Sequence, residues 1–254
     1  MESTSAILSL GPAATIYLVA LTALAAFARG YTGFGAAALM ITGGSLVVAP
    51  QVLVPLIILI DTMVGSWQLR RVTSAIDWRR LVMLLIGTAV GTPLGVHAIG
   101  YIPADTARII VALYVIAISI ALLRGWRLDR PVGDKGMVAL GFACGFVTGL
   151  IAMGGLIVAA FLTADGTKPQ AMRATLIAYF LPLGLFAIVL FAVRGFYDPE
   201  GLRILLTALP IFAAGVWLGG RHFLSATPEQ FRRLTLGLLM ILAAGAFIRA
   251  VAGF

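Results

Sequence analysis

Two charged side chains stand where charge is costly. Arg29 closes the apolar stretch 13–28, and Asp61 lies near the middle of the apolar stretch 53–69. Ionisable residues inside hydrophobic spans tend to face a cavity and to mark a pathway. The planar fork of Arg29 can hold a sulfonate or a carboxylate through two parallel hydrogen bonds. It can equally snorkel to headgroups or pair with Asp61 as a fixed counter-charge. Asp61 reads either as a proton-coupling carboxylate, tuned by burial and by Arg29 or His97, or as a static counter-ion. His97, just after Gly95, fits an interfacial or capping histidine, with a part in proton coupling as the other reading.

Arg29 opens onto a glycine-rich stretch that occurs twice. The first copy is Gly30-Tyr31-Thr32-Gly33-Phe34-Gly35-Ala36, and the second is Gly149-Leu150-Ile151-Ala152-Met153-Gly154-Gly155. A shift of 119 positions carries Gly30 onto Gly149, Gly35 onto Gly154, and Pro50-Gln51 onto Pro169-Gln170. Glycine lets a chain leave helical geometry without a Cβ clash. Broken backbone inside a bilayer is tolerated only where it faces protein or water. A helix restarting at Gly35 or at Gly154-Gly155 presents free N–H groups and a positive dipole end, which together make an anion site.

The candidate substrate contacts are therefore Arg29, Gly30, Thr32, Gly33, Phe34 and Gly35 from the first copy, with Thr148, Gly149, Met153, Gly154 and Gly155 from the second. The same shift sets Thr148 opposite Arg29, so the site is asymmetric, with a charge on one side and a hydroxyl on the other. Arg173 and Thr175, in the first turns of a later span, complete the set. Arg173 reads as a lure at the cavity mouth or as an interfacial cation on lipid phosphate. The competing reading of the glycines is close helix packing through small-xxx-small spacing, which suits Gly141-Phe142-Ala143-Cys144-Gly145 well.

The elements that must position these residues are membrane helices. The chain has 254 residues, 61% hydrophobic and 11% charged, where soluble domains carry about a quarter charged. Stretches 53–69, 81–99, 106–123, 170–193, 203–223 and 229–251 are long enough to span, while 137–148 and 154–164 read as half-helices, with 13–28 and 34–49 as their partners. Pro182 and Pro210 break two of the spans. A second match, at a shift of 124, lays Gly91-Thr92-Pro93-Leu94-Gly95 on Gly215-Val216-Trp217-Leu218-Gly219. The reading is an all-α polytopic membrane protein of about eight transmembrane helices. It has two repeats, 1–125 and 135–254, joined by a cytoplasmic linker over 126–134. Each repeat carries a Gly-broken helix pair, discontinuous or re-entrant. Lysine and arginine at the loops favour inverted over parallel repeats.

The net charge of +8 fits the positive-inside rule and contact with anionic headgroups in a lipid bilayer, and leaves no basic face for nucleic acid. One cysteine, Cys144, and two histidines argue against a disulfide, a metal site or any other cofactor. The N-terminus lacks a basic region before its apolar run, so no cleaved signal peptide is expected.

The duplicated glycine segments, Pro50-Gln51, Lys168-Pro169-Gln170-Ala171 and Arg173-Ala174-Thr175 together resemble the sulfite exporter TauE/SafE family of organosulfur-compound permeases, over nearly the whole chain. The breaks here, Gly35-Ala36-Ala37 and Gly154-Gly155-Leu156, are less glycine-dense than the family pattern. The resemblance implies a transporter of the prokaryotic inner membrane for small sulfur-containing anions such as sulfite, sulfonates and thiosulfate-like species. It carries over no catalytic residue, and no enzyme activity is expected. With no nucleotide-binding motif, transport would be secondary, by alternating access of one repeat against the other around a midplane site. An anion channel is the alternative, a membrane-embedded enzyme is disfavoured, and a homodimer is an open option for assembly.

Overall fold

The computed structural model of the chain describes residues 11–32, 35–69, 76–124, 132–222 and 244. Every regular element among them is an α-helix: α1 (Pro12–Thr32), α2 (Ala36–Gly44), α3 (Pro50–Leu69), α4 (Trp78–Ile99), α5 (Ala104–Leu123), α6 (Asp134–Ile151), α7 (Gly155–Ala164), α8 (Pro169–Val193) and α9 (Pro199–His222). Among the described residues, five stretches are long and apolar enough to cross a bilayer: Pro12–Tyr31, Trp78–Ile99, Asp134–Ile151, Ala171–Val193 and Pro199–Arg221. The chain is a multi-pass helical membrane protein. Its surface agrees, because Ile16, Val90, Val189 and Val193 are exposed while Arg29 is only 2% exposed. Such an inside-out distribution suits lipid as the outer solvent.

The half-helix expectation needs correcting in one respect. Helices α1 and α6 run 21 and 18 residues, so both are of spanning length. The short members are α2 and α7, of 9 and 10 residues. The glycines at 141, 145 and 149, which shorten the apolar count of α6, do not end it. Pro182 and Pro210 likewise lie inside continuous helices, α8 and α9.

Two tight helix seams organise the packing. α4 lies along α6, and α1 lies along α9. In lipid no hydrophobic force separates helix contacts from lipid contacts, so close backbone approach through small residues does the work. In the first seam a Cβ at Gly87, Gly91 or Gly95 would strike the backbone of Val138, Phe142 or Phe146, and one at Gly141 would strike Leu84. In the second, Gly30 faces the backbone of Val216 and Gly219 faces that of Phe27. Between the seams, α3 packs on α8, with α2 and α7 tucked beside them.

Charge ties the starts of α4 and α6 to the turn between α7 and α8. Arg80 bridges to Asp165 at 2.6 Å and donates to the Thr167 hydroxyl at 2.8 Å. Asp165, itself 2% exposed, also accepts from the backbone N–H of Val132. Outside this buried knot, Arg79 pairs with Asp134 in an exposed fork.

Candidate functional site

Arg29 sits in the last turn of α1, where the negative end of the helix dipole favours a cation. Its Nε donates to Oδ1 of Asp61 on α3 at 2.6 Å, with the arginine side chain 2% and the aspartate 20% exposed. The guanidinium also lies over the ring of Phe180 on α8, 5.2 Å from its centre, a cation–π contact that gains strength when desolvated. Gly65, one turn on from Asp61, leaves room for the fork, since a Cβ there would come 3.1 Å from Nη2. A second arginine closes the same helix end. Arg173 of α8 donates from Nη2 to the carbonyl of Gly30 at 2.9 Å, satisfying one of the carbonyls a helix leaves open at its C-terminus.

Beside this pair is a cavity of about 50 Å3, lined by Gly35, Ala37 and Ala38 of the α2 start, by Ile57, Ile58, Asp61 and Thr62 of α3, by Thr148, Ala152 and Met153 at the end of α6, by Gly155 and Leu156 of α7, and by Phe180, Leu183 and Gly184 of α8. One water needs roughly 10–15 Å3 on this measure, so the space suits a few waters or one small oxyanion. Both short helices begin at its wall, each with the positive end of its dipole there; at the start of α7 the N–H groups of Leu156 and Ile157 already reach the carbonyls of Met153 and Gly154, both at 3.1 Å. The two starts are made differently. Gly35 caps α2 with φ 94°, a left-handed conformation that favours glycine. At the other break the left-handed residue is Ala152, with φ 57°, at the end of α6. Gly154 and Gly155 supply clearance there instead. A Cβ on Gly154 would meet the Cys144 carbonyl and the Thr148 hydroxyl, and one on Gly155 would meet the Phe180 ring. Tyr114 of α5 fixes the turn by donating to the Met153 carbonyl at 2.8 Å.

The candidate residues from sequence thus divide. Gly35, Asp61, Thr148, Met153 and Gly155 line the cavity. Gly154, between Met153 and Gly155 in the chain, is not part of the lining. Arg29 is not part of the lining; it is paired with Asp61 and lies over Phe180, both of which are. Gly30 and Gly149 serve the helix seams, Gly149 against the backbone of Thr92 and Val96. The Thr175 hydroxyl, buried, accepts the backbone N–H of Asp77 ahead of α4. His97 is exposed at the end of α4, with Nδ1 2.9 Å from Arg194 Nη2 and its ring 4.9 Å from that of Tyr101. Gly33, Phe34 and the side chain of Thr32 lie outside the described residues.

Thr62, Phe180 and Gly184 line the cavity without having been singled out. The repeat held a signal for two of them, since the shift of 119 sets Phe180 opposite Asp61 and Gly184 opposite Gly65. The Thr62 hydroxyl, which donates to the Ile58 carbonyl at 2.6 Å, rests where a Gly184 side chain would be. Among the described residues, Asp61 is the one titratable side chain on the cavity wall. Anion-seeking helix ends, two hydroxyls and an apolar remainder suit a small anion with a polar head.

The family model "Sulfite exporter TauE/SafE" matches residues 18–246. A protein of Cupriavidus necator named "Probable sulfite/organosulfonate exporter TauE" is 24% identical over 244 residues, covering 93% of this chain and 95% of that protein. No solved structure matches.

Proposed function

The chain belongs to the sulfite exporter TauE/SafE family, and on that premise we propose that it is a secondary transporter exporting a small sulfur oxyanion, sulfite or an organosulfonate, across a prokaryotic inner membrane. The observation that carries the proposal is the cavity on which the starts of α2 and α7 converge, with Thr62, Thr148 and the Arg29–Asp61 pair at its wall. The positive dipole ends at two helix starts attract an anion. Their place inside a membrane helix bundle suits a substrate held at midplane.

Alternating access follows from two repeats, 1–125 and 135–254. The seams support it: the first helix of each half packs on the fourth helix of the other, α1 on α9 and α6 on α4. Rocking of one half against the other around α3 and α8 would expose the cavity to each side in turn. The basic loops favour inverted halves with the 126–134 linker in the cytoplasm. Saturable, slow flux separates this reading from an anion channel with the same site.

The test is thermal stability of the purified protein in detergent against sulfite, thiosulfate, isethionate and the carboxylates of matching size. A ligand held only by the folded state raises stability by about 2.7 kcal/mol at a hundred times its Kd. Stabilisation by a sulfur anion, weakened in Thr148→Val, is the expected result. Stabilisation by carboxylates alone would keep the site and overturn the substrate class.

A further inference from the structure

Asp61 stands between the cavity and Arg29. Its carboxylate both lines the cavity and takes the guanidinium Nε at 2.6 Å. We propose that Asp61 is an internal stand-in for the transported anion, and that an anion reaches Arg29 only when Asp61 takes up a proton, so that one proton travels with each singly charged anion. This rests on the cavity being the substrate site proposed above.

The argument is one of charge balance in a dry place. Arg29 is 2% exposed, and a buried guanidinium needs an anion against it. In the empty carrier Asp61 meets that need. An incoming sulfonate, tetrahedral at sulfur, can still offer two of its oxygens to the planar fork. Two anions on one guanidinium would leave a net negative charge buried, with like charges in contact.

The other charged groups around Asp61 do not relieve this. α2 carries none. α6 is charged only at Asp134 and Lys135, in its first turn, and α9 carries none between Arg203 and Arg221. On α4 the charged and titratable residues lie at the two ends, at Arg79, Arg80 and His97, and on α5 Asp105 and Arg108 lie in the opening turns. Tyr114 of α5 is a titratable neighbour, and its hydroxyl is given to Met153. Arg173 is the nearby cation on α8, and its charge repels that of Arg29 while it holds the Gly30 carbonyl.

Protonation resolves the conflict. It removes one negative charge and turns an Asp61 oxygen from acceptor to donor, able to face the bound anion that has displaced it. On release the proton leaves and the carboxylate returns to Arg29. Loaded and empty carriers then carry the same net charge through the membrane. The cycle is electroneutral for a singly charged anion, and flux follows the anion and proton gradients rather than the potential.

The full chain in proteoliposomes decides this. Isethionate is the first probe, because its sulfonate charge is fixed across the physiological range and any pH dependence is the protein's. Sulfite is the second. Flux of isethionate should ignore a K+/valinomycin potential step, and the lumen should acidify in step with anion entry. Wild-type affinity should fall by up to tenfold for each pH unit above the range in which Asp61 holds its proton, the slope for one coupled proton. Asp61→Asn, neutral at every pH, should bind without pH dependence and exchange anions without moving protons. Potential-driven flux with no proton movement, or an Asp61→Asn protein that keeps the wild-type pH profile, overturns the inference and leaves the substrate site standing. If Asp61→Asn does not fold, the wild-type proton count alone decides. Should wild type bind neither isethionate nor sulfite at any pH, the proposed substrate class fails and this inference fails with it.

Discussion

Arg173 on α8 reaches across to the last turn of α1 and donates to the carbonyl of Gly30 at 2.9 Å. The bond joins residues 143 positions apart and ties the helix that bears Arg29 to the helix whose Phe180 covers it. An arginine that sequence alone reads as a lure or an interfacial cation thus also joins two helices. A hydrogen bond to a charged group is worth about 1.5–3 kcal/mol. Arg173→Met is expected to lower thermal stability by an amount in that range and to reduce anion-dependent stabilisation, with Arg173→Lys intermediate. Unchanged stability with weakened anion binding would return Arg173 to the substrate.

The α4–α6 seam makes a sharper claim about glycine. Gly91 has no space for a Cβ against the Phe142 backbone, whereas Gly133, with φ −73°, has open space around it. Overpacking costs about 1–3 kcal/mol where the core can adjust, and opposed backbones adjust poorly. Gly91→Val should fail to yield folded protein in detergent, while Gly133→Ala should express and melt like wild type.

Ala152 holds a left-handed conformation with φ 57°. For a residue with a Cβ this costs roughly 1–2 kcal/mol, part of which glycine would return through its freer unfolded chain. Ala152→Gly is therefore expected to raise stability by about 0.5–1 kcal/mol. Because Ala152 also lines the cavity, a stabilised protein that transports more slowly would indicate that the strain serves the cycle.

Two arginines adjacent in sequence should behave oppositely. Arg80 meets an Asp165 that is 2% exposed, whereas Arg79 and Asp134 form an exposed pair. Removing one partner of a buried pair strands a charge, at about 3–5 kcal/mol. Arg80→Gln should destabilise by a fraction of that, since Arg80 itself is partly exposed, and Arg79→Gln should leave the melting temperature unmoved. Thermal unfolding of the two variants side by side checks the contrast.

Much of this was legible in the residue order. Apolar runs and sparse charge require a bilayer, because no soluble core could take so much hydrocarbon. A charge inside such a run is conspicuous for the same reason, so Arg29 and Asp61 stand out without any coordinates. The repeated glycine stretches likewise mark where α1 gives way to α2 and α6 to α7, since only special backbone interrupts a membrane helix. The tertiary structure decided which glycines do what. Absence of a Cβ serves a turn at Gly35, clearance at Gly154 and Gly155, and helix contact at Gly30 and Gly149. It decided too that Arg29 is spoken for by Asp61, and that Thr62, Phe180 and Gly184 close the cavity. Chain order carries the local cost of a charge or a missing side chain. Which distant group meets that cost depends on how helices cross, and that is a property of packing between residues far apart in the chain.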